Sequence, residues 1–249
     1  LSIEQVDRAV AAGAKFIVTP GYNPSVVDYC VSKEIPVVPG CMDTNAIEMA
    51  LEAGLDTVKF FPAEAAGGLK MMKALSGPYT NLKFIPTGGI NKDNLCDYLA
   101  FKKIIACGGS WMAKGDLVNN DRFDEIERIT AEAVDKMLNF RVVHIGINND
   151  DEAEANAQVR KFNELFGFKS DVKSASTFAS DAIEVCRKRF PGLHGHIAIG
   201  TGNVERAVYY LEKKGVEFDF STAKYKGERL TSVYLTDCIG GFAIHLVEK

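Results

Sequence analysis

Short hydrophobic runs that end in proline or glycine recur through the first 112 residues. They cover residues 15–20, 35–40, 57–62, 83–89 and 103–110. The apolar residues in these runs do not alternate strictly with polar ones, which is typical of strands that are buried on both faces. Because helical stretches separate the runs, the pattern predicts five βα units around a parallel sheet.

The segments between these runs have the periodicity of amphipathic helices. Residues 45–53 place Ile47 and Leu51 on one side, and Gly54 follows as a C-cap. A longer helix over residues 121–138 closes this half of the chain. The short, even spacing of the strand ends fits either a five-stranded doubly wound sheet or part of an eight-stranded barrel.

A different pattern begins after Asn139. Its predicted elements come twice in the same order: strand 141–147, helix 151–166 and strand 181–185, then strand 196–199, helix 204–214 and strand 241–247. This repetition indicates an internal duplication. We therefore expect two domains of different class, over residues 1–139 and 141–249.

Composition and charge narrow the functional classes. The chain has 249 residues, of which 47% are hydrophobic and 25% are charged, and its formal net charge is -4. A broad positive field for nucleic acid or anionic membranes is therefore not expected, and no apolar run approaches the roughly 18 residues of a membrane span. Six cysteines without a C-x-x-C pair indicate reduced thiols, so we expect a cytoplasmic protein.

Two glycine pairs stand at the ends of the last two predicted strands. Gly88 and Gly89 form the first pair, and Gly108 and Gly109, followed by Ser110, form the second. Glycine lets backbone N–H groups approach an anion closely, and a following helix N-terminus adds a favourable dipole. A barrel typically has its phosphate site after its last two strands, so the placement favours the barrel. Each pair alone is equally consistent with a tight turn.

Lys59 is a candidate nucleophile inside an otherwise apolar run. A lysine that points into an apolar interior is desolvated, which lowers its pKa and frees the amine to form a Schiff base with a carbonyl. A strand lysine more often faces water, however, and Lys83 also stands three residues before a strand-ending proline. The pattern alone therefore does not rank Lys59 above Lys83.

Four motifs resemble the 2-keto-3-deoxy-6-phosphogluconate aldolase family, which includes the 4-hydroxy-2-oxoglutarate aldolases. They are K-F-F-P-A-E at 59–64, G-G at 67–68, I-P-T-G-G-I at 85–90 and G-G-S-W at 108–111, and the resemblance runs from residue 1 to about 138. It implies an eight-stranded barrel that is usually trimeric, with Lys59 as the Schiff-base lysine. The positions that it places in the substrate and phosphate site are Pro20, Phe61, Thr87, Gly88, Gly89, Gly108, Gly109 and Ser110.

The resemblance implies a class I aldol cleavage of a keto acid to pyruvate and glyceraldehyde 3-phosphate, without a metal or other cofactor. Retention of both glycine pairs favours a phosphorylated substrate, and 4-hydroxy-2-oxoglutarate remains an alternative. The chain starts at Leu1, and in this family a general-base glutamate and a carboxylate-binding arginine lie on earlier strands. We therefore expect an α/β fragment with the last five βα units of a (β/α)8 barrel and weak activity or none.

Residues 142–249 resemble the vicinal oxygen chelate superfamily, which includes glyoxalase I and bleomycin-resistance proteins. Its paired βαβββ modules form an α+β cup, and its metal ligands correspond here to His144, Glu184, His196 and His245. Small residues, Gly146, Ala182, Ala198 and Ala243, stand two positions away on the same strand faces and leave room for ligands.

These side chains suit Zn²⁺, Fe²⁺, Ni²⁺ or Mn²⁺. His245 stands where the superfamily more often has glutamate, and His194 is an alternative ligand. The second domain is thus predicted to be a metal-dependent lyase or dioxygenase. The alternative is a metal-free module that binds a small metabolite or mediates dimerisation.

Overall fold

The computed structural model describes residues 2–249, so the expectation about Leu1 lies outside the described residues. The chain divides into two compact units, Leu1–Met137 and Leu138–Lys249. None of the helices in residues 2–249 has the length and apolar composition that crossing a lipid bilayer requires.

The first unit alternates helices with short strands. The elements are α1 (Ile3–Ala11), β1 (Ile17–Val18), α2 (Pro24–Ser32), β2 (Val37–Val38), α3 (Thr44–Glu52), β3 (Thr57–Phe60), α4 (Gly68–Leu75), β4 (Lys83–Pro86), α5 (Leu95–Ala100), α6 (Gly115–Asn119) and α7 (Phe123–Leu138). Local chemistry fixes several helix starts. Ser2 forms a capping box with Gln5, and the Asp43 side chain accepts a hydrogen bond from the first turn of α3.

The strands of the first unit follow one another in parallel, as the sequence predicts. β1 pairs with β2, and β3 pairs with β4. A bridge between Gly40 and Lys59 continues the order from β2 to β3. The prediction of a fifth strand needs a partial correction: within residues 2–249 this run forms two isolated parallel bridges, from Ile104 to Phe84 and from Gly108 to Thr87, and no continuous strand. Backbone hydrogen bonds still join this run to β4: the Phe84 N–H donates to the Lys103 carbonyl, and the N–H groups of Ile105 and Gly108 donate to the carbonyls of Phe84 and Pro86.

The faces of these strands differ from the prediction that both are buried. On β3 and β4, Val58, Phe60 and Phe84 are fully buried against the helices, and the rings of Phe60 and Phe84 pack edge to face with centroids 6.3 Å apart. The alternate positions are more open: Lys59 and Ile85 are half-buried, and Lys83 is exposed. The face that carries Lys59 is therefore the more open one.

The second unit is an eight-stranded sheet with two helices. The elements are β5 (Arg141–Ile147), α8 (Glu152–Phe166), β6 (Asp171–Val172), β7 (Ser176–Ser180), β8 (Ile183–Cys186), β9 (Gly195–Thr201), α9 (Val204–Glu212), β10 (Phe218–Lys226), β11 (Arg229–Ile239) and β12 (Phe242–Glu248). The strand order is β10-β11-β12-β9-β5-β8-β7-β6.

Two βαβββ halves build this sheet, in agreement with the predicted duplication. In each half the first strand pairs in parallel with the last: β5 with β8, and β9 with β12. β5 and β9 then pair antiparallel at the centre, with Gly146 opposite His196. The first and last strands of both halves therefore lie side by side in the middle of the sheet.

Candidate functional sites

Lys59 lies near the carboxyl end of β3, where its backbone bonds Pro39 and Cys41 on the preceding strand run. Burial lowers the pKa of its amine, and its Nζ lies 4.6 Å from the centroid of the Phe61 ring. Lys83 differs: its side chain is 49% exposed and forms a 2.9 Å ion pair with Asp56. The structure thus separates two lysines that the sequence pattern does not rank.

The loop after β4 is tied to the segment after β3. The Ala63 N–H donates to the Thr87 carbonyl at 2.8 Å, and the Glu64 N–H donates to the Gly88 carbonyl at 3.1 Å. On the other side, Thr87 forms a parallel bridge with Gly108. These contacts bring the Lys59 motif, the first glycine pair and the start of the second pair to one edge of the parallel strands.

Steric reasons for glycine are visible at this edge. Gly89 has φ +85°, and a Cβ there would lie 2.5 Å from the Cβ of Glu64. A Cβ on Gly108 would lie 2.6 Å from the Thr87 hydroxyl, and one on Gly109 would overlap the Trp111 ring. These glycines are therefore required for packing between loops, whether or not they also face an anion.

The second unit brings four polar side chains together at its central strands. The Nε2 atoms of His144 and His196 lie 3.1 Å apart, and each is 3.1 Å from Oε2 of Glu184. The His245 ring is centred 5.2 Å from that of His196 and 5.6 Å from that of His144. One ligand atom from each of the three histidines falls within 4.8 Å of the other two.

Strand register explains how His196 fits among its neighbours. It lies opposite Gly146 on β5, and a Cβ on Gly146 would overlap the imidazole ring. Any larger residue at position 146 would therefore displace the ring of His196. This is a steric requirement that the alternation of small residues indicated.

The electrostatics of this cluster favour a charged carboxylate beside neutral imidazole. Burial alone would raise the pKa of Glu184, but hydrogen bonds with His144, His196 and Ser176 outweigh it and hold the pKa well below its usual range. Burial, followed by electrostatic interaction with the neighbouring His196 and His144, lowers the pKa of His245 to about 3. A neutral imidazole offers a lone pair to a ligand.

Two ring nitrogens in the cluster have no hydrogen-bond partner within the described chain. They are Nδ1 of His196 and Nε2 of His245, and both are buried. The other nitrogen of His245, Nδ1, lies 3.2 Å from the Ser232 hydroxyl. A buried polar atom without a partner reduces the free energy of unfolding by about 1–3 kcal/mol. The lone pair on Nε2 of His245 is therefore available to coordinate a cation.

The family model for KDPG and KHG aldolase matches residues 1–129, which is more than half of the chain. The chain belongs to this aldolase family. The 2-dehydro-3-deoxy-phosphogluconate aldolase of Haemophilus influenzae is 51% identical over 135 residues, which make up 54% of this chain and 64% of the relative. The chain thus spans less than two thirds of that protein's length.

Solved structures also resemble this member of the aldolase family. A KDPG aldolase from Legionella pneumophila, with pyruvate captured as a covalent carbinolamine, is 37% identical over 51% of this chain and 61% of that chain, with a TM-score of 0.49. A methylmalonyl-CoA epimerase is 14% identical over 43% of this chain and 93% of that chain, with a TM-score of 0.33.

The remaining positions predicted for the aldolase site are spread along the same strand ends. Pro20 is exposed, but its carbonyl packs against Gly40 at the end of the next run. Ser110 is exposed in the turn after the second glycine pair. In the second unit, His194 is exposed beside the Phe242 ring, with centroids 5.5 Å apart, and is absent from the ligand groups found among residues 2–249.

Sequence reasoning missed the partners of the functional side chains. In the aldolase unit, Tyr98 donates a hydrogen bond to Glu64. In the second unit, Ser176 donates to Glu184 at 2.5 Å, Ser232 contacts His245, and the Tyr234 ring stacks on His245 with centroids 4.7 Å apart. Strand alternation places Ser232 and Tyr234 on one face of β11, but no motif marks them.

Proposed function

We propose that the first unit acts as a class I aldolase with Lys59 as its Schiff-base lysine. The substrate is 2-dehydro-3-deoxy-6-phosphogluconate, with 4-hydroxy-2-oxoglutarate as a second candidate. The observation that carries the proposal is the amine of Lys59, half-buried near the carboxyl end of a parallel strand with a lowered pKa. The family and the name of the Haemophilus relative support the same reaction.

In this reaction the neutral amine of Lys59 adds to the C2 carbonyl, and loss of water leaves a protonated imine. A base removes the proton of the C4 hydroxyl, the C3–C4 bond breaks, and its electron pair moves into the iminium to form an enamine. The aldehyde leaves as glyceraldehyde 3-phosphate. Protonation of the enamine at C3 and hydrolysis of the imine release pyruvate and restore the amine.

Glu64 is the carboxylate of the Lys59 motif, and Tyr98 already hydrogen-bonds it. We expect a carboxylate engaged in this way to serve poorly as the base for the C4 hydroxyl. We therefore expect this polypeptide to form the adduct on Lys59 but to turn over slowly. Pyruvate release at the rate usual for the family would contradict the expected slow turnover. By its resemblance to the family we also expect a homotrimer, which light scattering measures.

Reduction with borohydride in the presence of pyruvate tests the nucleophile. The wild-type chain should gain one reduced adduct, and peptide mass spectrometry should place it on Lys59. Lys83→Arg is the matched control, because Lys83 is a strand lysine with an exposed, ion-paired amine. Loss of the adduct in Lys83→Arg, or its persistence in Lys59→Met, would reject the assignment.

For the second unit we propose a divalent metal site formed by His144, Glu184, His196 and His245. Their fit rests on the buried, unpartnered Nε2 of His245 and on three donor atoms that lie 3.1 Å from one another. Three imidazoles and one carboxylate suit Zn²⁺, Fe²⁺, Ni²⁺ or Mn²⁺. A bound ion would supply Lewis-acid polarisation of a substrate oxygen.

Together with the paired βαβββ halves, this donor set favours a vicinal oxygen chelate domain with glyoxalase-like lyase or dioxygenase chemistry. Metal analysis of the purified chain tests it. We expect about one ion per chain, retained in His194→Ala and lost in His196→Ala. An empty site in the wild type would leave only a metal-free module that binds a small metabolite or mediates dimerisation.

A further inference from the structure

Tyr98 and Glu64 form a hydrogen-bonded pair that the aldol mechanism does not use. Tyr98 is 2% exposed on α5, whereas Glu64 is exposed after β3, and the tyrosine hydroxyl donates to Oε1 of the carboxylate. Gly68 leaves room for the pair, because a Cβ there would lie 3.0 Å from the hydroxyl and 3.1 Å from Oε1. The direction of the Glu64 side chain is therefore set by a buried group.

Glu64 also packs directly on the first glycine pair. Its N–H donates to the Gly88 carbonyl at 3.1 Å, and its Cβ and Cγ occupy the space that a side chain on Gly89 would need. The amides of Asn91 and Asn94 donate to the Gly89 carbonyl at 3.3 and 3.1 Å. The turn is thus held by these hydrogen bonds and packed against the aliphatic part of the Glu64 side chain.

A carboxylate beside an anion site is unfavourable, since like charges a few ångströms apart repel. The Tyr98 hydroxyl donates a hydrogen bond to Oε1, and this contact fixes the orientation of the Glu64 carboxylate. We propose that Tyr98 is a positioning residue, which keeps the Glu64 carboxylate directed away from the Gly88 and Gly89 turn so that this turn can bind the phosphate of the substrate. The inference rests on the proposed aldolase function.

Inorganic phosphate is the probe, and its affinity for the full chain is measured by titration calorimetry. Tyr98→Phe removes the hydroxyl and frees the carboxylate, so phosphate binding should weaken by about tenfold. In the double variant Tyr98→Phe/Glu64→Gln the charge is gone, and most of the affinity should return. Tyr79→Phe is the matched control, because Tyr79 donates to Glu48 at 2.8 Å in another part of the same unit.

Three results would overturn the proposal: no phosphate binding by the wild type, unchanged binding in Tyr98→Phe, or equal weakening in the single and double variants. The last result would indicate a purely structural role. Borohydride trapping with pyruvate separates this test from the proposed function. If the Lys59 adduct forms but Tyr98→Phe does not change phosphate binding, the aldolase proposal is supported and the positioning role of Tyr98 is rejected. If no adduct forms but phosphate binding weakens in Tyr98→Phe as expected, the positioning role is supported and the aldolase proposal is rejected.

Discussion

The two units assemble their candidate sites in different ways. In the first unit, functional groups lie at the ends of consecutive parallel strands, and neighbouring loops are joined by backbone hydrogen bonds such as that from Ala63 to Thr87. In the second unit, His144, Glu184, His196 and His245 lie within four strands that meet at the centre of one sheet. The first arrangement depends on loop conformation, and the second depends on strand register.

This difference decides what glycine does in each unit. Gly89 combines a positive φ with close contact to Glu64. This position therefore needs glycine both for its backbone conformation and for the close packing of the turn. Gly146 lies in an ordinary strand and serves only to make space for His196. A substitution at Gly89 should therefore mainly reduce the stability of the first unit. A substitution at Gly146 should mainly change the geometry of the metal ligands in the second unit.

Gly89→Ala should destabilise the first unit by about 3 kcal/mol. The left-handed conformation costs about 1–2 kcal/mol for a residue with a Cβ, and overlap with Glu64 adds a similar amount. Gly54→Ala is the control: Gly54 has φ +78°, but nothing lies within 4 Å of its Cβ position. Urea unfolding followed by fluorescence of Trp111, the single tryptophan, reports on this unit. Equal losses in both variants would exclude a packing role for Glu64.

Gly146→Ala should reduce zinc affinity by about 100-fold, because the new methyl group displaces the imidazole of His196. Gly202→Ala, at a position with open space around its Cβ, should bind zinc as the wild type does. Competition with a chelating dye measures both. Unchanged affinity in Gly146→Ala would show that His196 is not a ligand. It would also contradict the view that strand register determines the site of the second unit.

Much of this arrangement was predictable because it follows from local pattern. β5 begins and ends where the apolar pattern places it, at residues 141 and 147. Which side chains converge followed from the resemblance of the duplicated half to a known superfamily, not from the spacing of the strands. The motif around Lys59 likewise predicts a lysine at a strand end. In both units local periodicity predicts the secondary structure, whereas the site residues were predicted from the resemblance to known families.

Partners across the fold were not predictable in this way. Tyr98 and Glu64 are 34 positions apart, and Ser232 and His245 are 13 positions apart, with no period linking either pair. The fifth strand is another example: its composition is that of a strand, but its pairing depends on neighbours that the pattern does not reveal. Side-chain hydrogen bonds of this kind are set by tertiary packing and carry no repeat.

Ser232→Ala should weaken zinc binding by about tenfold. Removal of the hydroxyl beside Nδ1 leaves His245 free to rotate or to change tautomer, and such supporting contacts typically affect metal affinity by 10–100-fold. Ser221→Ala is the control, because the hydroxyl of the exposed Ser221 donates to the Asp219 carboxylate in the same unit. If Ser232→Ala binds zinc with the same affinity as the wild type, the orientation of His245 is held by packing alone, including its stacking on the Tyr234 ring.

The smallest expected effect concerns Phe61 and the charge state of Lys59. Burial lowers the pKa of Lys59, whereas the Phe61 ring 4.6 Å from Nζ favours the charged amine and opposes that shift. Phe61→Leu removes the opposing effect, so the pKa should fall further. A cation–π contact of about 0.5–1 kcal/mol corresponds to a fall of about half a pH unit.

The rate of pyruvate adduct formation as a function of pH measures this change, because only the neutral amine attacks the ketone. The midpoint in Phe61→Leu should lie below that of the wild type, and both should lie below the usual lysine value of about 10.4. Phe101→Leu, which removes a ring 5.9 Å from Lys73, should leave the midpoint in place. An upward shift in Phe61→Leu would mean that the ring acts mainly by excluding water from Lys59. In that case desolvation, rather than the cation–π contact, would be the main effect of Phe61 on the nucleophile.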